Sequence, residues 1–113
     1  MRDGAHSYLL GRVVGAEDFV DVVTVELGEG YDWDTLAAFY SPSRRRYFWA
    51  SGRGCSCDSL SSQIGGLGDF GDGGRLALAE AVREKWGNGY RLNPSARARD
   101  VATVLSYTEP AIV

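Results

Sequence analysis

The chain has 113 residues, 44% of them apolar and 24% charged, with a formal net charge of −3 at pH 7. This length and composition fit one globular domain that buries about two-thirds of its unfolded surface. No apolar run approaches the roughly 18 residues that a membrane-spanning helix needs. Residues 1–6 lead into no long apolar stretch of the kind found in signal peptides. We therefore expect a single domain over residues 1–113 that resides in the cytoplasm and makes no membrane contact.

Charge is distributed unevenly along the chain. Residues 1–43 hold eight acids and two bases, a net charge of −6, whereas residues 44–113 hold ten bases and seven acids, a net charge of +3. The acidic part argues against broad nucleic-acid binding, which needs Lys and Arg in excess to neutralise phosphates. The basic part still allows a local patch. Only one of the twelve bases is Lys, a usage typical of GC-rich genomes.

The first half of the chain predicts an antiparallel β-meander. Residues 19–27 are rich in β-branched side chains that roughly alternate with polar ones, which is typical of a strand. Residues 35–40 and 46–51 predict two further strands, joined as a hairpin by a turn at residues 41–44. A fourth strand at residues 8–14 would extend the meander at its N-terminal end.

A Gly/Ser-rich segment follows the third predicted strand. Residues 51–74 contain eight Gly and five Ser and few large apolar side chains. Because this composition buries little surface, we expect a long loop, chiefly over residues 58–73. A loop of this length inside a compact domain is either functional or mobile.

Two helices are predicted after this loop. In the first, over residues 74–86, Leu78, Val82 and Trp86 recur at four-residue spacing and share one face.

The second helix has a clear start, because Asn93 is a good N-cap and Pro94 suits the first helical position. We expect its buried stripe to consist of Ala98, Val101 and Leu105. The predicted fold class is therefore α+β, an antiparallel meander of three to four strands packed on one face by two C-terminal helices.

Aromatic and basic residues are concentrated around the third strand. Tyr47 and Trp49 should point to one face of the sheet and Phe48 to the other. They form either core or an exposed aromatic strip, and aromatics with arginine are enriched at binding hot spots. The neighbouring arginines suit a phosphate, a stacked base or an acidic protein. The candidate binding residues are Arg44, Arg45, Arg46, Tyr47, Trp49 and Arg53.

The two cysteines, Cys55 and Cys57, are the next candidates for chemistry. Zinc needs about four ligands, and the only histidine is the distant His6, so a metal site within one chain is disfavoured; a site shared by two copies stays open. A redox pair and a nucleophile activated by His6 are further alternatives. We favour two small, semi-buried thiols that pack a tight glycine turn. We predict no cofactor and no enzymatic activity.

The remaining motifs predict no chemistry. Residues 65–74 are Gly-rich and precede a helix, but they lack the Gly-Lys-Ser/Thr ending of a phosphate loop. Asp69 and Asp72 would repel phosphate, and their spacing is not that of an EF-hand. This segment reads as a flexible hinge. Acids near the predicted turns are common in any soluble protein; here they are Glu26, Glu29, Asp32 and Asp34.

Residues 48–57 read Phe-Trp-Ala-Ser-Gly-Arg-Gly-Cys-Ser-Cys. This run resembles a motif in small uncharacterised proteins of phages that infect actinobacteria. In that family proline often follows the second Cys, whereas this chain has Asp58. The resemblance implies a phage origin and action inside a bacterial cell, and the family carries no established activity. Small accessory phage proteins often act by binding a host protein, which is an expectation at the level of the class.

The leading hypothesis is a non-catalytic phage accessory protein that binds a host or phage protein through residues 44–49 and 51–57. One alternative is a metal- or redox-linked module that uses Cys55 and Cys57. Another is a small nucleic-acid-binding protein that uses residues 44–47, although the overall charge makes nucleic acid an unfavoured partner. A homodimer is left open.

Overall fold

A computed structural model describes residues 6–28, 30–87 and 94–110. The helices are α1 (Ser7–Gly11), α2 (Leu60–Gln63), α3 (Arg75–Gly87) and α4 (Pro94–Ser106), with a short 3₁₀ turn at Leu67–Asp69. The strands are β1 (Val20–Glu26), β2 (Asp32–Ser41), β3 (Arg46–Cys55) and β4 (Gly71–Gly73). They form one antiparallel sheet in the order β1-β2-β3-β4.

The predicted α+β fold is confirmed. The three strands expected at residues 19–27, 35–40 and 46–51 are present, and β2 and β3 are both longer than predicted. The predicted strand at residues 8–14 is wrong, because Ser7–Gly11 is helical. The fourth strand is β4 instead, which pairs with the first part of β3.

β2 and β3 form the central hairpin, paired without interruption from Asp32 opposite Cys55 to Ser41 opposite Arg46. The backbone N–H groups of Arg44 and Arg45 both donate to the carbonyl of Ser41, at 3.2 and 2.8 Å. Arg45 turns the chain with a φ of 55°. The hairpin is therefore long and closed by a tight turn.

The sheet buries both of its faces, each in its own core. The helix-side core joins alternate strand residues to α3 and α4: Val25, Leu36, Ala38, Tyr40, Tyr47, Leu78, Ala79, Val82, Trp86, Ala96 and Val104. The opposite core joins the other strand residues to α1, the chain after it and the segment after α2: Leu9, Leu10, Val13, Ala16, Phe19, Ala37, Phe39, Phe48, Ala50, Ile64 and Phe70. The predicted helical cover is present on one face, and a second layer covers the other.

The loop predicted at residues 58–73 is wrong in part, because this segment contains α2, the 3₁₀ turn and β4. Hydrogen bonds between side chains and the backbone order this segment, although its composition offers little apolar surface to bury. The N–H of Ser59 donates to the Asp58 carboxylate at 2.8 Å. The N–H of Gly65 donates to the Asp69 carboxylate at 2.7 Å. Glycine is required at Gly71, since a Cβ there would overlap the Trp49 indole.

The two C-terminal helices differ in how well their buried faces were predicted. α3 buries Leu78, Val82 and Trp86 as expected, together with Ala79. α4 instead buries Ala96, Asp100 and Val104.

The stripe predicted for α4 is therefore wrong, since Ala98 and Leu105 are exposed and Val101 is half-buried. The cause is a buried hydrogen bond of 2.9 Å from Trp86 Nε1 to Asp100 Oδ2. The predicted N-cap, Asn93, lies outside the described residues. Within the described part of the chain, no helix is long and apolar enough to cross a membrane.

Replacing Asp100 by Ala tests this bond. The indole N–H of Trp86 would lose its acceptor in a buried position, and we expect the free energy of unfolding to fall by about 1–3 kcal/mol. Asp100→Asn keeps an acceptor oxygen at this position and should lose less. Urea unfolding of both variants measures the difference. An alanine variant as stable as the unchanged protein would contradict the role given to Asp100.

His6 predicts a pH dependence of stability. Its Nε2 lies 2.9 Å from Thr24 Oγ1, and its ring meets Phe39 edge-on at 5.7 Å between centroids. Burial lowers the pKa of His6 from its ordinary value of 6.5, and the charge of Asp21 opposes this only in part. The unfolded chain therefore binds this proton more readily than the folded one.

We therefore expect the free energy of unfolding to decrease as the pH falls through about 6.5, the pKa of His6 in the unfolded chain. The decrease should end once the pH is below the lower pKa of the folded state. His6 is the only histidine of the chain, so His6→Gln should flatten the profile of urea midpoints between about pH 5.5 and 7.5. Equal slopes in the two proteins would show that another group is responsible.

Candidate functional site

Arg44, the first arginine of the predicted basic hairpin, is a structural residue. Its Nη1 donates to Ser41 Oγ at 3.0 Å and lies 3.4 Å from Asp18, and its Nη2 donates to the carbonyl of Gly15 at 2.7 Å. The guanidinium also lies over the Phe19 and Phe48 rings, 5.9 and 5.5 Å from their centroids. Arg44 therefore ties the hairpin turn to the chain between α1 and β1.

Asp18 accepts the other hydrogen bonds at this end of the hairpin. Its carboxylate receives Ser41 Oγ at 3.0 Å and the N–H of Ser43 at 2.9 Å. Partial burial raises the pKa of Asp18, but hydrogen bonds from Ser43 and Ser41 and the charge of Arg44 outweigh it and hold the pKa below its usual value. This carboxylate is a structural anchor.

The side chain of Arg46 is also bound within the fold, whereas that of Arg45 is not bound by any described residue. Arg46 donates through Nε and Nη2 to one oxygen of Asp72, at 3.0 and 2.7 Å, which fastens β4 to β3. The side chain of Arg45 is exposed and has no hydrogen-bond or ion-pair partner among the described residues. Of the three consecutive arginines, only Arg45 is free to meet a ligand.

The aromatic run belongs to the two cores. Tyr47 is 1% exposed and Phe48 7%, while Trp49 is half-buried against the helix-side core. Tyr47 donates its hydroxyl to Glu109 Oε2 at 2.6 Å, and Arg75 lies over its ring and pairs with Glu109 at 3.0 Å. Burial, followed by this hydrogen bond, raises the pKa of Tyr47. The side chain of Tyr47 is therefore unavailable to an external partner.

Arg53 completes the predicted set. Its side chain is exposed and has no partner among the described residues. Arg45 precedes it by eight positions along an almost fully extended chain, about 26 Å at 3.3 Å per residue. The structure therefore does not bring the two free arginines of the predicted site together.

Cys55 and Cys57 form a disulfide, and both side chains are exposed. The prediction of semi-buried thiols is therefore wrong. His6 contacts Thr24 and Phe39 instead of a cysteine. Among the described residues, no group of three or more His, Cys, Asp or Glu side chains is placed to hold a metal ion.

Hydrogen bonds from Trp33 and Gln63 hold the segment that contains the disulfide. Trp33 Nε1 donates to the carbonyls of Cys55 and Asp58, at 3.0 and 3.2 Å, and its indole lies against Gly54. Gln63 Nε2 donates to the carbonyl of Arg53 and to the Asp58 carboxylate, both at 2.9 Å. Hydrogen bonds from Ser62 and Gln63 lower the pKa of Asp58.

The covalent link itself adds little constraint. It closes a loop of three residues, for which the chain-entropy relation gives about 1.6 kcal/mol, against about 3 kcal/mol for a 15-residue loop. The hydrogen bonds to Trp33 and Gln63, and not the disulfide, are the main restraint on this segment.

Lys85 and Ser51 meet at the start of the Gly/Ser-rich segment. Lys85 Nζ lies 2.8 Å from Ser51 Oγ and 2.6 Å from Asp34 Oδ1. A serine beside a lysine is one arrangement for nucleophilic catalysis. Here Lys85 is also held by the Asp34 carboxylate, which gives it a structural role. The contact fastens α3 to β2 and β3.

Among the predicted acids, Glu26 serves the β1–β2 turn. Glu26 Oε1 accepts the N–H groups of Gly28 and Asp34, at 3.0 and 3.1 Å, and Glu26 Oε2 accepts the hydroxyl of Thr35. These bonds close the turn, and Glu29 lies outside the described residues. Glu26 is therefore a turn residue.

One concave surface among the described residues lies between the two C-terminal helices. We call it the α3–α4 groove; its volume is about 470 Å³ and it is lined by Arg83, Arg97, Ala98, Val101, Ala102 and Leu105. Arg97 has no ion-pair partner among the described residues. Arg83 contacts Glu80 at 3.4 Å, an exposed pair that stabilises little. The groove therefore combines an apolar floor with two available guanidinium groups.

Apolar surface continues beyond one end of the groove. Arg75 Nη1 donates to the carbonyl of Val104 at 2.7 Å, which places the start of α3 beside the end of α4. Leu76 and Leu105, 75% and 44% exposed, therefore lie at the same end of the helix pair. Sequence reasoning missed this surface because it assigned the stripe of Ala98, Val101 and Leu105 to the core.

Comparison with known proteins supplies a family and no named relative. No curated protein and no solved structure matches the chain. The family described as Domain of unknown function (DUF7574) matches residues 16–105. This match includes all four strands, α3 and almost all of α4. The chain therefore belongs to the DUF7574 family.

Proposed function

We propose that this protein is a non-catalytic accessory protein, encoded by a phage, that binds a host or phage protein in the cytoplasm of an infected bacterium. The α3–α4 groove is the observation that carries the proposal. An exposed apolar surface with arginine at its edge has the composition of an interaction site. We further propose that an acidic amphipathic helix of the partner occupies this groove.

The apolar floor of the groove has the right length for such a helix. Ala98, Val101, Ala102 and Leu105 recur at three- and four-residue spacing over about 10 Å of helix axis. Two turns of a partner helix, with apolar side chains at positions i, i+4 and i+7, cover the same length. The exposed Leu76 offers further apolar contact at the end where Leu105 lies.

The charges of the groove select an acidic ligand. Arg83 comes from α3 and Arg97 from α4, so each helix contributes one arginine to the lining of the groove. A partner helix with carboxylates on both sides of its apolar stripe would pair with both. Complementary charge raises the association rate and excludes partners of the wrong sign.

The roles of the reactive side chains support a non-catalytic protein. Lys85 is paired with Asp34, Glu26 closes a turn, and Tyr47 is buried against Glu109. Each of these groups has a structural partner that a catalytic role would require it to release.

The free arginines favour a protein partner over nucleic acid. Arg45 and Arg53 lie at opposite ends of the hairpin, and Arg83 and Arg97 line a groove with an apolar floor. Nucleic-acid binding requires a continuous row of phosphate contacts, whereas an apolar floor between two cations suits an amphipathic peptide.

Charge reversal in the groove tests the proposal. The probe is a fluorescein-labelled synthetic peptide of about 18 residues, helical, with Leu at i, i+4 and i+7 and Glu on both flanks. We expect Arg83→Glu plus Arg97→Glu to weaken its binding at least tenfold, about 1.4 kcal/mol, because two attractions become repulsions. Leu105→Ser should weaken binding as well, by less. Fluorescence anisotropy gives each Kd.

A matched control uses Arg45→Glu plus Arg53→Glu, which makes the same change in net charge on exposed, unpartnered arginines. We expect its Kd to stay within about twofold of that of the unchanged protein, because both residues lie outside the groove. A twofold change corresponds to about 0.4 kcal/mol of binding free energy. Loss only in this control would move the site to the hairpin. Equal loss in both double variants would mean non-specific attraction. No binding of the peptide at low salt, or binding equal to that of a scrambled peptide, would refute the helix as occupant.

A further inference from the structure

The disulfide at the end of β3 occupies an open position in the fold. β4 covers only Tyr47–Trp49 of β3. Within the described part of the chain, the later part of β3 has α2 beside it and no neighbouring strand on its outer side. Cys55 and Cys57 are exposed there, beside α2. A sulfur can be attacked only where a thiolate can reach it, and exposure meets that condition.

The disulfide contributes little to the fold. It joins residues only two positions apart. Trp33 donates to the carbonyls of Cys55 and of Asp58, the residue after the pair, and Gln63 donates to the carbonyl of Arg53. These bonds do not involve sulfur, so they remain when the disulfide opens. Two thiols would then stay close together, ready to close again.

We propose that the Cys55–Cys57 pair is a thiol–disulfide exchange site whose reaction partner is a dithiol. The site is separate from the α3–α4 groove and does not rest on the proposed binding function. It fits the proposed cytoplasmic location, because disulfides in that compartment are usually transient and catalytic or redox-sensing.

The exchange proceeds in two balanced steps. A thiolate of the dithiol attacks one sulfur of the pair; a mixed disulfide forms, the Cys55–Cys57 bond breaks, and its electron pair leaves on the other sulfur as a thiolate. The second thiol of the partner, once deprotonated, attacks the mixed disulfide. The partner leaves as a disulfide, and this chain retains two thiols. Two electrons pass from the dithiol to the protein.

The test uses the folded protein, alkylation with iodoacetamide and mass spectrometry. We expect no label before reduction and two labels after incubation with dithiothreitol in native buffer, at a rate within about tenfold of that in 8 M urea because the sulfurs are already accessible. In a reduced sample that has been freed of dithiothreitol and not yet alkylated, oxidised glutathione should restore the form that takes no label. Circular dichroism should stay unchanged throughout, as the hydrogen bonds to Trp33 predict.

A glutathione buffer distinguishes an exchange site from a structural disulfide. With about 5 mM reduced glutathione and a hundredth as much oxidised, more than half of the pair should be reduced, whereas structural disulfides resist this pool. In oxidised glutathione alone, Cys57→Ser should trap glutathione on Cys55 as a stable adduct because no second thiol can displace it, and Cys55→Ser plus Cys57→Ser should take up none.

Three results would overturn the proposal: labelling before any reductant is added, reduction only in urea, or a pair that stays oxidised in the glutathione buffer. Because the two sites are separate, peptide binding in the α3–α4 groove should be the same before and after reduction. Failure of either proposal therefore leaves the other intact.

Discussion

The uninterrupted pairing of β2 with β3 is the constraint on which the rest of the structure depends. Successive side chains of a strand point to opposite faces, and this register runs from Asp32 opposite Cys55 to Ser41 opposite Arg46. Both faces are covered, one by α3 and α4 and the other by α1 and the segment after α2. Every large aromatic side chain at the centre of the hairpin therefore enters one core or the other. The aromatic run stabilises the fold, and surface recognition must come from other residues.

Arginine takes two different roles as a consequence. The arginines that fasten one segment of the fold to another, Arg44, Arg46 and Arg75, each have an acidic partner. Guanidinium suits this work because its several donors bind carbonyls and carboxylates together, as Arg44 does with Gly15 and Asp18. An arginine is free for a ligand where no acid of the fold lies opposite it, and it is available where its ion pair is exposed and weak, as for Arg83 with Glu80. The first condition holds for Arg97 in the groove, and the sequence alone does not reveal it.

The strands were predictable because their signal is local. Alternating β-branched and polar residues mark β1, and a turn between two apolar runs marks the hairpin. The short apolar run at Leu9–Val13 suits a strand or a helix equally well, and long-range packing against Phe39 and Phe48 decides between them. The sequence shows two closely spaced cysteines, but their exposure to solvent depends on where β3 leaves the sheet. The order after Asp58 depends on single side-chain contacts that composition does not record.

The α3–α4 groove exists because of one buried polar contact. α4 carries two apolar stripes, Ala98–Val101–Leu105 and a second that includes Ala96 and Val104, and the second is interrupted by Asp100. Periodicity favours the first stripe for burial, since a carboxylate is costly to remove from water. The indole N–H of Trp86 reverses that preference by giving Asp100 a partner inside the core. The helix turns its polar-interrupted stripe inward and its better apolar stripe outward, against Arg83. An apolar surface left outside while a carboxyl group lies inside is poorly explained by folding alone, and the acidic helix that we propose for the α3–α4 groove would account for it.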